Sequence, residues 1–191
     1  MQSKFEKVLW KKLEEINKRR GNRFESSLRK THILPDGRKK KSFISNHHDF
    51  VVGLALLKET NNQSGVFTIE YRPGPEDIFL DLPAGSMEPN EDISDAMARE
   101  LAEETGYAGE VIHVDTSWNA PYSNSKRHSF VVKDCVKVGP QKLDKDEFIE
   151  VIEMDLREFL SDYVFKGKTT NGASILQCLK HLGVFKNSFG I

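Results

Sequence analysis

The chain has little that could cross-link it: 191 residues carry only two cysteines, Cys135 and Cys178, with no Cys or His pair at metal-ligand spacing. That argues against a disulfide framework and fits a reducing compartment, with both thiols read as core residues. Long apolar runs are also missing. The longest, Phe50 to Leu57, is far too short to span a bilayer, and the start Met1-Gln2-Ser3-Lys4-Phe5-Glu6 lacks the apolar stretch of a signal peptide. A cytoplasmic protein is therefore expected. Nor is there an excess of one charge: 28 basic and 29 acidic residues give a net charge of −1, so no global attraction to nucleic acid or membrane follows. Repeats and low-complexity segments are absent as well. The length suits one packed domain with a small appendage, expected as residues 1–45 followed by a main domain over 46–191.

What is present reads as alternating strands and helices. Residues 3–19 place Phe5, Val8, Leu9, Leu13 and Ile16 at helical spacing, which predicts an amphipathic helix. Two extended segments, 24–34 and 38–44, flank Pro35-Asp36-Gly37 and predict a β-hairpin. The basic run Arg38 to Lys41 beside that turn reads as a solvated strand edge rather than a nucleic-acid patch. Phe50 to Leu57 is apolar on both faces and predicts a buried strand, and His47 and His48 just before it read as structural. Further strands are expected over 66–71, 78–82, 110–114, 129–138 and 148–154. Asp155 should start a helix through Tyr163. Thr170 or Asn171 should start another, with Ile175, Leu176, Leu179 and Leu182 on its apolar face. The polar loop Trp118 to Arg127, with its two aromatics, is long enough to suggest a binding role.

The stretch Gly85 to Tyr107 is different, because charge is concentrated where a helix should bury an apolar face. In a helix from about Asp92 to Thr105, turning about 100° per residue, the residues Ile93, Ala96, Met97, Glu100, Leu101 and Glu104 share one stripe. Its second half is acidic, and Glu103 crowds the same turns. Three clustered carboxylates near a helix C-terminus repel one another and oppose the helix dipole. Burying them unpaired would be costly. A hard divalent cation resolves the conflict, and an all-oxygen donor set favours Mg²⁺, Mn²⁺ or Ca²⁺ over zinc.

Gly85, Glu91, Arg99-Glu100-Leu101, Glu103-Glu104 and Gly106 stand at the spacing of the Nudix box, and the chain resembles the Nudix hydrolases at every strictly specified position. Tyr107, where the family usually has an aliphatic residue, is the one departure, and it bears on packing rather than chemistry. The resemblance implies an α/β/α sandwich with a mixed β-sheet, here with an N-terminal helix and β-hairpin added. It implies hydrolysis of a nucleoside diphosphate linked to another group. Carried over by position, Glu100, Glu104 and the Ala84 carbonyl would bind Mg²⁺ or Mn²⁺. Glu103 would be a further ligand or the base. Arg99 would hold the carboxylates in register, Glu91 would bind back to Arg99, and Gly85 with Ser86 would meet the substrate.

Outside the box, Leu34 to Arg38, Glu70-Tyr71-Arg72-Pro73, Leu82 to Gly85 and Asp146 to Val151 resemble the ADP-ribose pyrophosphatase and nucleotide-sugar hydrolase branch over residues 24–183. By this resemblance Arg72 would contact phosphate, and Glu147 would complete the metal site or supply the base, with Asp144 and Asp146 as its neighbours. Pro121 and Tyr122 would line the substrate loop, although that branch often has Gly where Tyr122 stands. The branch also implies a homodimer formed through the N-terminal strands, a small nucleotide-sugar substrate, and no nucleic-acid or membrane partner. Two other readings stay open: a hydrolase of another nucleoside diphosphate derivative, such as a dinucleoside polyphosphate, and a binding module without turnover.

Overall fold

A computed structural model describes residues 11–18 and 25–185. Contacts sort them into two units. One contains the described residues up to Asp49 together with Trp118–Lys126, and the other contains Phe50–Ser117 and Arg127 onward.

The first unit is a three-stranded antiparallel sheet in the order β1 (Lys11–Lys18), β2 (Glu25–Ile33), β3 (Lys39–His47). The hairpin forms where its turn chemistry predicts: Gly37 has φ 83°, its N–H donates to the Leu34 carbonyl, and Asp36 accepts from the Arg38 N–H and Nε. The helix expected over residues 3–19 is corrected at its C-terminal half. Lys11–Lys18 is a strand with a register shift between Lys12 and Glu14, and residues 3–10 and 19 lie outside the described residues. Leu13 and Ile16 fit a helical period, but antiparallel pairing with β2 decides the conformation, and a local pattern carries no trace of such a partner. Lys39 to Lys41 are exposed on β3. The expected loop, which spans 119–125 between strands, runs along the same strand: Ser45 N–H donates to the Tyr122 carbonyl, and Asn124 N–H to the Ser45 carbonyl.

The second unit is a seven-stranded mixed sheet ordered β10 (Glu150–Asp155), β5 (Ser64–Arg72), β4 (Phe50–Leu57), β9 (Lys126–Lys137), β8 (Tyr107–Trp118). In addition β6 (Asp77–Asp81) pairs with β5, and β7 (Ala84–Ser86) with β4. Strands β4 and β9 run parallel, while β4 is antiparallel to β5 and β7. β4 is buried on both faces, as its unbroken apolar run predicts. Val52, Leu54 and Leu56 face one core with Phe67, Phe159, Ile175 and Leu179. Val51, Ala55 and Leu57 face the other with Ala96, Met97 and Leu101. Helix α1 (Ile93–Thr105) therefore covers one face, and α2 (Leu156–Phe159) and α3 (Gly172–His181) cover the other, giving the three layers expected.

Helix ends follow the sequence closely. Asp92 caps α1 by accepting the Ser94 N–H, and Gly106 closes it at φ 75°. Asp155 caps α2, which continues as a wider turn over Leu160–Val164, and Asn171 precedes α3. Leu176 is a correction: it is exposed rather than on the apolar face of α3.

Candidate active site

The site starts from the burial of α1. Met97 and Leu101 are fully buried, so the acidic half of the same stripe must turn inward with them. Glu104 is 7% exposed, and its Oε2 accepts the Ala84 N–H at 3.0 Å. Burial, with the charges of Glu100, Glu147 and Glu70 adding to it, pushes its carboxyl up to about 8 against the Ala84 bond. Glu100 is raised as well, mainly by burial and opposed by Arg99.

Arg99 holds this row together. Nε donates to Glu91 Oε1 at 2.8 Å and Nη2 to Glu91 Oε2 at 3.0 Å. Nη1 donates to Glu100 Oε1 at 2.8 Å and to Glu103 Oε2 at 3.0 Å, and Nη2 donates to the Ser86 carbonyl at 3.1 Å. Those contacts occupy all five donors of a guanidinium. The bidentate bond to Arg99 holds Glu91 below the usual carboxylate range, and Glu91 also accepts the Glu88 N–H. Every N–H of Arg99 is thus committed to the chain's own acceptors.

Gly85 is required by close approach. A Cβ there would fall inside the Glu100 carboxyl group, which Arg99 already holds. Glu147 is exposed on the loop after β9, where its carboxylate accepts the Asp144 N–H at 3.0 Å and its own N–H donates to the Asp144 carbonyl. That loop is tied to α1 by Gln141, whose Nε2 donates to the carbonyls of Glu104 (2.6 Å) and Ile149 (3.1 Å), and by Lys142 N–H to the Glu103 carbonyl.

The expected ligands are therefore neighbours in charge, but each has its own partner: Arg99 for Glu100 and Glu103, Ala84 N–H for Glu104, Asp144 N–H for Glu147. Among the described residues, no three His, Cys, Asp or Glu side chains form a group that could hold an ion as placed. The chemistry still fits a hard divalent cation. Among the described residues Glu104 keeps one carboxylate oxygen without a hydrogen bond, the donors are all oxygen, and the charges of Glu100, Glu147 and Glu70 act against the ionised form of Glu104.

Three residues lack roles in the sequence reading. Glu70 pairs with Arg72 at 2.7 Å and is raised by burial, with the charges of Glu147 and Asp81 adding to the shift. Asp81, 1% exposed, accepts from the Thr169 hydroxyl, the Thr170 N–H and hydroxyl, and the Asn171 amide, and lies 3.8 Å from Arg72. Arg127 opens β9. Arg72 and Arg127 line a pocket of about 300 Å³ with Gly85, Ser86, Thr170 and Asn171. The motif around Arg72 could have pointed to Glu70. Asp81 draws its partners from about 90 residues away, which no local pattern signals. In the first unit, Pro121 lines a separate pocket of about 580 Å³ with Lys30, Trp118 and Asn119, and Tyr122 is exposed.

Comparison with known proteins adds a family, three relatives and a solved structure. Residues 47–173 match the NUDIX domain family. The chain is 32% identical over 158 residues to a methanol dehydrogenase activator of Bacillus methanolicus, covering 78% of this chain and 84% of that one. It is 30% identical to an ADP-ribose pyrophosphatase of Bacillus subtilis (strain 168), covering 75% and 80%, and 32% identical to an ADP-sugar pyrophosphatase of Mus musculus, covering 59% and 56%. A crystal structure of an ADP compounds hydrolase superposes with a TM-score of 0.75 over 95% of this chain and 97% of that one, at 17% identity.

Proposed function

The chain belongs to the Nudix hydrolase superfamily, in its ADP-ribose pyrophosphatase branch, and from that premise we propose that it hydrolyses the pyrophosphate bond of ADP-ribose or a related nucleoside diphosphate sugar. The observation that carries this reading is the Arg99 hub, which holds Glu91, Glu100 and Glu103 in one row beside the buried Glu104. Relatives named as ADP-ribose and ADP-sugar pyrophosphatases support the substrate class.

In this proposal Glu100, Glu104 and the Ala84 carbonyl hold Mg²⁺ or Mn²⁺, with Glu103 and Glu147 beside them. Such a cation neutralises diphosphate charge and acidifies a bound water. The chain does the rest. Gly85 leaves room for the Glu100 carboxylate against the strand. Arg72 supplies a guanidinium to phosphate while Glu70 and Asp81 fix its orientation. Glu103 is committed to Arg99, so Glu147 is assigned the proton of the attacking water. Water oxygen bonds to one phosphorus, the bridging P–O bond breaks, and ADP-ribose plus water gives AMP plus ribose 5-phosphate. A homodimer through the N-terminal sheet belongs to the same proposal, and a monomeric mass by light scattering would count against it.

The test is a panel of nucleoside diphosphate derivatives with Mg²⁺, products resolved by chromatography. AMP from ADP-ribose is expected. Cleavage of a different sugar nucleotide with ADP-ribose untouched overturns the substrate and keeps the class. Tight binding with no cleavage of any compound favours a binding module.

A further inference from the structure

We propose that the pocket in the first unit binds an aminopurine base, with Trp118 as the stacking surface and Asn124 as the acceptor of the exocyclic amine. The inference does not depend on the pyrophosphatase reading, which concerns the second unit. The pocket has a volume of about 580 Å³, and its wall includes Trp118, Ala120, Pro121 and Asn124. That size is ordinary for a small-molecule site. The wall is also preformed. The Ala120 carbonyl accepts the Ser123 N–H at 3.1 Å, and the Ser125 carbonyl accepts the Asn119 N–H at 3.1 Å, so the loop after Trp118 closes on itself. Its bonds to Ser45, through the Tyr122 carbonyl and the Asn124 N–H, pin it to β3.

Two side chains on that wall call for a ligand of particular chemistry. Trp118 is 67% exposed, although an indole is ordinarily well buried. Lys126 Nζ lies 5.7 Å from its ring centre, and that positive charge favours a neutral or anionic ligand over a cationic one. Asn124 is committed at its nitrogen: Nδ2 donates to Asn46 Oδ1, and Asn46 Nδ2 donates in turn to Ser26 Oγ at 2.6 Å. Its Oδ1, however, is shielded from water and accepts from nothing among the described residues. An acceptor left in that state is costly, and a ligand N–H removes the cost. An aminopurine meets both demands, because its π-face stacks on an aromatic side chain and its amine donates to a side-chain amide oxygen from the same rigid plane.

The test titrates the whole chain with adenosine and with purine riboside, which has the same rings and sugar but no amine. Calorimetry gives the affinities. Fluorescence in a Trp10→Phe background, where Trp118 is the one tryptophan left, reports the stacking. Adenosine should quench the emission and bind about 5- to 30-fold more tightly than purine riboside, the scale of one hydrogen bond to a buried acceptor. Trp118→Ala should weaken both nucleosides by about 5- to 100-fold. Asn124→Ala should leave purine riboside as it is and erase the preference for adenosine. Circular dichroism and melting temperature establish that the variants fold, and the comparison of the two nucleosides on the wild-type protein stands without them. No binding of adenosine, or equal affinity for both nucleosides, overturns the proposal. So does a Trp118→Ala variant that binds like the wild type, or an Asn124→Ala variant that keeps the preference. Neither nucleoside carries a phosphate, so failure here leaves the proposed hydrolysis standing, and failure of the substrate panel leaves this site standing.

Discussion

The Glu104 carboxylate accepts the Ala84 N–H at 3.0 Å across twenty residues of chain, so the helix that carries the acidic row is fastened to the strand that carries the glycine beside it. One carboxylate oxygen goes to this bond, which leaves the other for chemistry. The Glu104→Gln variant separates those roles, since an amide oxygen can still accept the Ala84 N–H. Turnover should fall by about 10²-fold or more, the scale of losing one electrostatic contact at a reacting centre. The melting temperature of the metal-free protein should not fall. Steady-state kinetics and differential scanning fluorimetry check the two halves.

Arg99 is saturated by five acceptors, so Arg99→Lys cannot replace it: an ammonium has three donors and no planar fork. The side chain is 27% exposed, and solvent tempers the cost of the change. We expect a loss of about 1–2 kcal/mol of stability and a larger loss of kcat than of substrate affinity. Urea melts and a kcat and KM comparison measure both.

Stability of the metal-free protein should depend on pH with a definite sign. The Glu104 carboxyl is raised from 4.5 to about 8 by burial, so folding favours its protonated form. That contribution is complete below the unfolded value, near pH 4.5, and is lost as pH rises to about 8, at most about 5 kcal/mol. Glu70 and Glu100 are raised too and act in the same direction. Melting temperature should therefore decline from pH 5 to 8 without divalent ions. Saturating Mg²⁺ or Glu104→Gln should flatten the decline; an unchanged slope in both would refute the assignment.

Removing Asp81 should unfold part of the pocket wall. Asp81→Ala leaves the Thr170 N–H and Asn171 amide without their acceptor and frees Arg72 from one of its carboxylates. About 2–4 kcal/mol of stability should be lost, seen as a lower denaturation midpoint. KM should rise as well.

Cys135 and Cys178 are buried, and burial pushes their thiols up to about 11 and about 12. Neither should react with a thiol reagent until the protein is denatured, after which both should. A colorimetric thiol count before and after denaturant decides this.

The parts legible in the sequence are those whose cause is local. Helix α1, its Asp92 and Gly106 caps and its buried stripe follow from spacing alone, and so does β4. The strand Lys11–Lys18 was not legible, because pairing with β2 overrides a helical period carried by two apolar residues. Asp81 and Arg127 share that reason. One gathers donors from Thr169 to Asn171, and the other gains its place from the register between β9 and β4. The apolar spacing of α3 suggested four core residues, yet Leu176, about 100° round the helix from Ile175, falls outside the arc of Ile175, Cys178 and Leu179 that packs on the core and is exposed.

Gln141 binds the last turn of α1 and the Ile149 carbonyl with a single amide. The loop bearing Glu147 is therefore not an interchangeable module. A graft of this loop from a relative, made to alter substrate preference, transfers the Glu147 carboxylate, the base of our proposal, without its anchor unless Gln141 and its distance from Ile149 travel with it. Loop length here is thus constrained by a helix end rather than by the substrate.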